Sequence, residues 1–379
     1  MIDMRKWFYP LVILFSFVFL TFGTGCTNKQ QGNIAKTGSG HVRIGLSMDT
    51  LKEERWQHDR DLFVARAQEL GAEVLIQAAN GDDKIQNQQA ENLLTQGVDV
   101  LVVIPHNGEV AASIVDSAKR QNVPVIAYDR LIRNSEPDLY ISFDNEKVGE
   151  MQAHYLMERA PKGNYVLIGG APTDNNAMMF RSGQMKALKS SIDHGDIKIV
   201  ASEWARDWLA SEALKHAENS LTLSNNDIVA IVASNDATAG GAIQALEEQK
   251  LAGKVFVSGQ DADLPALQRI VAGTQSMTVY KPVALLARRA AETAVSLAKH
   301  EKIEATSTVN NGKIDVPSVL LQPVIVDKDN IVDTVAKDGY QKLEEIYKNV
   351  PREKWPQVKK IALNTRKREN NRFRRADMM

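Results

Sequence analysis

Cysteine is almost missing from this chain: Cys26 is the only one among 379 residues. No intramolecular disulfide can form, so the fold has to be held by its core rather than by covalent cross-links. Histidine is scarce too, and His58, His106 and His154 stand apart rather than at metal-ligand spacing, which argues against a metal site. Net charge is nearly absent, since 46 Lys and Arg face 47 Asp and Glu. A chain without an overall positive field does not gather nucleic acid. Neither a P-loop nor a G-x-G-x-x-G follows the first expected strand, which argues against a nucleotide or other cofactor.

What is present starts with an address. Arg5 and Lys6 precede an almost wholly apolar run from Trp7 to Phe22, which is short for a membrane span and has the pattern of an export signal. Gly23-Thr24-Gly25-Cys26 then resembles a bacterial lipoprotein cleavage box, in which the cysteine becomes the lipidated first residue; the departure is Gly23, where such boxes carry a large aliphatic residue. The readings are a signal peptide over residues 1–25 and a lipidated Cys26 opening a flexible polar tether over residues 26–40. An uncleaved anchor, or a chance cysteine in a plain signal, is the other way to read the same segment.

From His41 onward, short apolar runs alternate with amphipathic segments, which predicts an α/β protein with mainly parallel sheets. Strands are expected at Val42 to Met48, at EVLIQAA, at VDVLVVIPH, at VPVIAYDR (Val123 to Arg130) and at DLYISFDN, with helices at Glu53 to Leu70, Ile85 to Gln96 and Glu109 to Gln121. A second series of the same kind begins at Glu146 and ends with VFVSGQD. Two βα series of similar length predict two lobes of like fold. The later pieces are SMTVYKP, helix Val283 to His300, an extended stretch SVLLQPVIVD and a short helix Lys337 to Lys348. The pattern alone places them in either lobe. If the chain enters and leaves the first lobe through two of them, three strands join the lobes as a hinge. The tail beyond Pro351 is basic and reads as solvated.

Polar and aromatic residues recur just past the expected strand ends: Arg55 and Trp56, Asp129 and Arg130, Asp174 and Asn176, Trp208, Asn235 and Asp236, Asp261 and Asp263, and Lys281. In open α/β sheets ligands bind beyond the carboxyl ends of the strands, so these residues are candidates for one cleft between lobes. Their charges nearly balance, which suits a neutral polyol: carboxylates accept from hydroxyls, Arg and Lys donate, and Asn does both. Trp56 and Trp208 offer flat faces to the C–H faces of a sugar ring. Blander readings stand beside these, with Asp129 and Arg130 pairing with each other to cap a loop and the tryptophans filling core. Lys281 also reads as a Schiff-base lysine or a surface charge, although nothing near it supports the former. A two-carboxylate hydrolase would use Asp129 and Asp261, but the adjacent Arg130 is expected to keep Asp129 ionised, as an acceptor rather than a general acid.

The segments ERWQHDRDLF, QAANGDD, GVDVLVVIPHNG, AYDR, YISFDNEKVGE, DNNA, ASNDATAGGAIQAL, SGQDADL, GTQSMTVYKP and DVPSVLL, in this order between His41 and Lys348, closely resemble the D-xylose-binding proteins of bacterial ABC importers, a group within the periplasmic sugar-binding class that includes ribose-binding protein. The resemblance implies a type 1 periplasmic binding protein fold: two similar doubly wound α/β lobes with parallel sheets joined by a three-strand hinge. Under it, residues 41–145 with 279–320 make the N-terminal lobe, 146–278 with 321–350 the C-terminal lobe, and 351–379 a basic tail. It also implies that Arg55, Asp129, Arg130, Asn176, Asn235, Asp261 and Lys281 hydrogen-bond the sugar, that Trp56 and Trp208 stack on it, and that Asp174 lies near the site; Glu54, beside Arg55, is a further near-site candidate. The implied partners are D-xylose and the permease and ATPase subunits of an importer. A membrane sensor kinase is the alternative partner, and a sugar isomerase or hydrolase the enzymatic alternative. A repressor is disfavoured because no helix-turn-helix precedes His41.

Overall fold

A computed structural model describes residues 41–356. The expected export signal, Cys26, the tether and the tail beyond residue 356 lie outside the described residues. The first lobe is laid down by β1 (Arg43–Met48), α1 (Glu54–Glu69), β2 (Glu73–Ala78), α2 (Asp83–Thr95), β3 (Val100–Val103), α3 (Ala112–Arg120), β4 (Val125–Tyr128) and β5 (Leu139–Phe143). The second continues with α4 (Asn145–Arg159), β6 (Gly163–Gly169), α5 (Asn175–Asp193), β7 (Ile197–Trp204), α6 (Ala210–Leu223), β8 (Ala230–Ala233), α7 (Asp236–Glu248), β9 (Phe256–Val257), α8 (Leu264–Ala272) and β10 (Thr278–Tyr280). The chain then adds α9 (Val283–Ala298), β11 (Ser307–Asn310), β12 (Asp315–Leu321), β13 (Val324–Val326) and α10 (Leu343–Ile346).

The first sheet runs β11-β12-β5-β4-β3-β1-β2 and the second β7-β6-β8-β9. Every pairing in them is parallel except the β11–β12 hairpin at one edge. Both sheets therefore reverse direction after their first strand, the doubly wound order whose switch point opens a crevice at the strand ends. Strands covered by helices on both faces read as unbroken apolar runs, and β3 (VLVV), β4 (VIAY) and β8 (AIVA) are buried at every position. Helix α9 returns to the first lobe, where Leu286, Ala287, Ala290 and Ala294 join Phe63, Ala67 and Ile44 in one core.

Three places differ from the expectation. The ladder of VPVIAYDR ends at Tyr128, because Asp129 turns left-handed at φ 60°. SVLLQPVIVD is not one strand: β12 pairs with β5 of the first sheet, while β13 pairs antiparallel with β10. The break falls at Gln322-Pro323, where proline has no N–H to continue a ladder. The expected helix Lys337 to Lys348 is interrupted by Gly339 at φ 74°, so only the short α10 lies within it, after a π-helical turn at Val332–Ala336. Ordered chain also extends past Pro351, with Trp355 set 5.9 Å from the Tyr347 ring and its indole N–H donating to the Val350 carbonyl at 2.8 Å.

Helices α4 and α5 pack at backbone distance. A Cβ on Gly149 would lie 2.0 Å from the Phe180 carbonyl oxygen, and one on Gly183 would lie 2.0 Å from that of Glu146. Gly149→Ala or Gly183→Ala must push the helices apart and is expected to cost about 1–3 kcal/mol, read as a lower urea midpoint at unchanged slope.

Candidate functional site

The residues just beyond the strand ends are also the first residues of helices. Asp174 caps α5 by accepting from the Asn176 N–H, and Asn235 caps α7 in a reciprocal box with Thr238. Helix starts, with their unpaired N–H groups, thus converge with the strand ends on one crevice. Backbone strain gathers there as well. Asp129 (φ 60°), Trp208 (φ 58°), Asp261 (φ 101°) and Ala262 (φ 55°) are left-handed without being glycine, a conformation that costs about 1 kcal/mol or more and needs surrounding structure to hold it. At Asp129 that structure is explicit: its carbonyl accepts from Ser142 Oγ (2.6 Å), Tyr140 Oη (3.1 Å) and Asn176 Nδ2 (3.1 Å).

The crevice closes into one small pocket between the strand ends of the two lobes. Arg55, Trp56, Asp129, Arg130, Asn176, Trp208, Asn235, Asp261 and Lys281 all line it, as does Asp174. Arg55, Asp129, Asp261 and Lys281 form a buried charge cluster. Arg55 donates to Asp129 at 2.9 Å, to Asp261 at 3.4 Å and to Asp59 at 3.1 Å, and Lys281 Nζ lies 3.4 Å from Asp261 and 3.8 Å from Asp129. Burial pushes the Asp129 carboxyl up, but Arg55, then Lys281, then Arg130 outweigh it and hold the group below the usual carboxylate range. Asp129 is therefore an acceptor, as the sequence suggested, although its main counter-ion is Arg55. Arg130 pairs instead with Asp49 at 2.6 Å and with Asp174 of the second lobe at 2.7 Å. Lys281 is buried, so the surface-charge reading does not hold.

The two indoles reach the pocket from opposite lobes. The guanidinium of Arg55 lies 4.2 Å from the Trp56 ring and that of Arg130 lies 5.2 Å from it, so the plate is held by cations. Trp208 lies on the end of β6, where a Cβ on Gly170 would come within 2.1 Å of the indole. Its N–H, like Gln260 Oε1, is buried without a partner among the described residues. Asn235 uses its Oδ1 on the Thr238 cap, which leaves its Nδ2 for the pocket.

Glu53, Phe180 and Gln260 also line the pocket and were not expected there. Phe180 lies one helical turn after Asn176, a spacing that shares a face, and Gln260 immediately precedes Asp261. Asp236 and Asp263, past the strand ends in sequence, stand behind the wall rather than in it. Asp236 braces the loop by accepting from Gln275 (2.8 Å), Thr278 (3.0 Å) and the Asp263 N–H (3.0 Å).

A family described as periplasmic binding protein domain matches residues 44–302. The D-xylose-binding periplasmic protein of Escherichia coli (strain K12) is 55% identical over 323 residues, covering 85% of this chain and 98% of the relative. The D-xylose-binding periplasmic protein of Haemophilus influenzae is 56% identical over 309 residues, covering 82% and 93%. Among solved structures, a carbohydrate transporter solute binding protein from Chloroflexus aurantiacus in complex with D-glucose superposes with a TM-score of 0.76 at 32% identity, covering 80% of this chain and 98% of that one.

Glu54, expected near the site, does not line it. Its carboxylate accepts from the Leu264 N–H (3.1 Å) at the start of α8 and from Gln341 Nε2 (2.5 Å), and it lies 3.6 Å from His58 Nε2. The bond to Glu54 raises the His58 pKa above 6.5, with Asp59 and Asp61 adding to it. A raised folded-state value stabilises below 6.5 and loses that stabilisation as pH rises through it. In ligand-free protein, His58→Asn loses the ring contact with Tyr340 at any pH, and is expected to lower the melting temperature by roughly 1–3 °C more in mild acid than in alkali, a small difference because the pair with Glu54 is half-exposed and screened.

Proposed function

Because the chain belongs to the periplasmic binding proteins, a family here represented by sugar-binding transport receptors rather than enzymes, we propose that it is an exported receptor that closes on D-xylose and passes it to the permease of an ABC importer. The observation that carries this reading is the pocket itself, which holds indole plates from both lobes among charges already paired with each other. A charged ligand would have to compete with ion pairs the pocket has already made; a neutral polyol adds donors and acceptors to them without net charge. The identity to two D-xylose-binding relatives supports the pentose.

Closure follows from where the partners sit. Asn176 reaches from the second lobe to Asp129, Asp174 to Arg130 and Asp261 to Arg55. A sugar bonded from both sides favours the apposed lobes over the open ones and shifts that equilibrium in proportion to its differential contacts. The residues crossing between lobes at Asp144, at Lys281-Pro282 and at Gln322-Pro323 form the hinge in this reading. The anchor is Cys26, supported by the small residues that precede it and the apolar run before them.

Arg130→Ala and Asp261→Ala each leave buried polar partners unmatched and are expected to lose on the order of 2–4 kcal/mol of D-xylose binding by titration calorimetry. Near-normal affinity in both variants rejects the site. Cys26→Ser is expected to move the protein from the membrane fraction to the soluble extracytoplasmic fraction, and an unchanged membrane association rejects the lipid anchor.

A further inference from the structure

Glu53 occupies the N-cap position of α1, where a side chain ordinarily accepts from the first N–H groups of its own helix. It makes no such bond. Its side chain is only 11% exposed, and its two oxygens have different fates. Oε1 lies 3.4 Å from Lys52 Nζ, and Lys52 Nζ in turn donates to the Asp207 carbonyl of the second lobe at 3.1 Å. Oε2 is buried and has no partner among the described residues, while Glu53 lines the pocket at its lip. A buried carboxylate oxygen without a donor is costly, and a hydroxyl supplied at that point would satisfy it with a charge-assisted bond.

We propose that Glu53 is a further specificity-determining contact of this pocket: its Oε2 accepts from one hydroxyl of the bound sugar while its Oε1 steadies Lys52 across the cleft. Ligand hydroxyl, Glu53, Lys52 and the Asp207 carbonyl then form one chain from ligand to opposite lobe. Asp207 immediately precedes the Trp208 plate and is itself left-handed at φ 50°. The contact therefore links recognition of one hydroxyl to the seating of the lip beside that plate. This inference rests on the pocket being a pentose site.

The test is a thermodynamic cycle between protein and ligand groups. D-xylose and its analogues, each lacking one ring hydroxyl, are titrated into wild type, Glu53→Gln and Glu53→Ala, with the ligand-free melting temperature of each recorded. In wild type one analogue is expected to bind at least about ten-fold more weakly than D-xylose, and Glu53→Ala to weaken D-xylose by roughly ten- to a hundred-fold while erasing that one penalty. Glu53→Gln, which keeps an acceptor without the charge, falls between. Lys52→Ala is expected to keep the discrimination and to release D-xylose faster. If every analogue carries the same penalty in Glu53→Ala as in wild type, the proposal is overturned. Glu53 then serves only its pairing with Lys52, which would appear as a lower ligand-free melting temperature alone. Failure of wild type to bind any of these sugars would refute the pentose reading of the pocket instead, so the two failures are distinct.

Discussion

Two cations and three carboxylates lie buried together where the lobes meet, and the architecture follows from the need to keep them matched. Arg55, Asp59, Asp129, Asp261 and Lys281 are each less than a tenth exposed. Removing one partner from such a cluster would strand a charge in a medium that solvates it poorly, at several kcal/mol. Asp261 belongs to the second lobe and Arg55 to the first, so part of the matching exists only when the lobes are together. The pairing also directs the strong fields inside the pocket at one another, which supports the proposal of an uncharged ligand.

The cluster is held by backbone that is itself unusual. Asp129 presents its carboxylate from a left-handed turn directly after β4 and Asp261 from one a few residues beyond β9, and the strain at Asp129 is supported by dense hydrogen bonding around its carbonyl. Neighbouring residues serve two purposes at once. Asp174 caps α5 with one oxygen and meets Arg130 with the other. Asn235 caps α7 with its carbonyl oxygen and keeps its amide for the pocket. Capping and binding are therefore not rival readings of a polar residue at a strand end. The helix begins there because the strand has ended, and the pocket opens there for the same reason.

Much of this was legible along the chain. Apolar runs ending in AspArg, AsnAsp or LysPro mark the carboxyl edges of buried strands, and the site residues follow from that rule together with the resemblance. The errors came where a period does not determine a direction. Glu53 and Glu54 are adjacent carboxylates, yet one lines the pocket and the other bonds to Leu264 and Gln341, because the first turn of α1 rotates each residue by about 100°. SVLLQPVIVD has one uninterrupted extended pattern but serves two sheets, since the pattern does not name the partner strand. Gln260 carried no signal of its own beyond its place before Asp261.

The sequence by itself determined the layered α/β class, the pairing of similar lobes, and the kinds of side chain that would stand at the strand ends, because these depend on local periodicity and on where apolar runs stop. Only the tertiary structure decided who pairs with whom. Arg130 is covalently next to Asp129 yet takes Asp49 and Asp174 as its partners, while Asp129 is gripped by Arg55, 74 residues away. Such choices are made by distances between lobes. A linear pattern carries no measure of those distances.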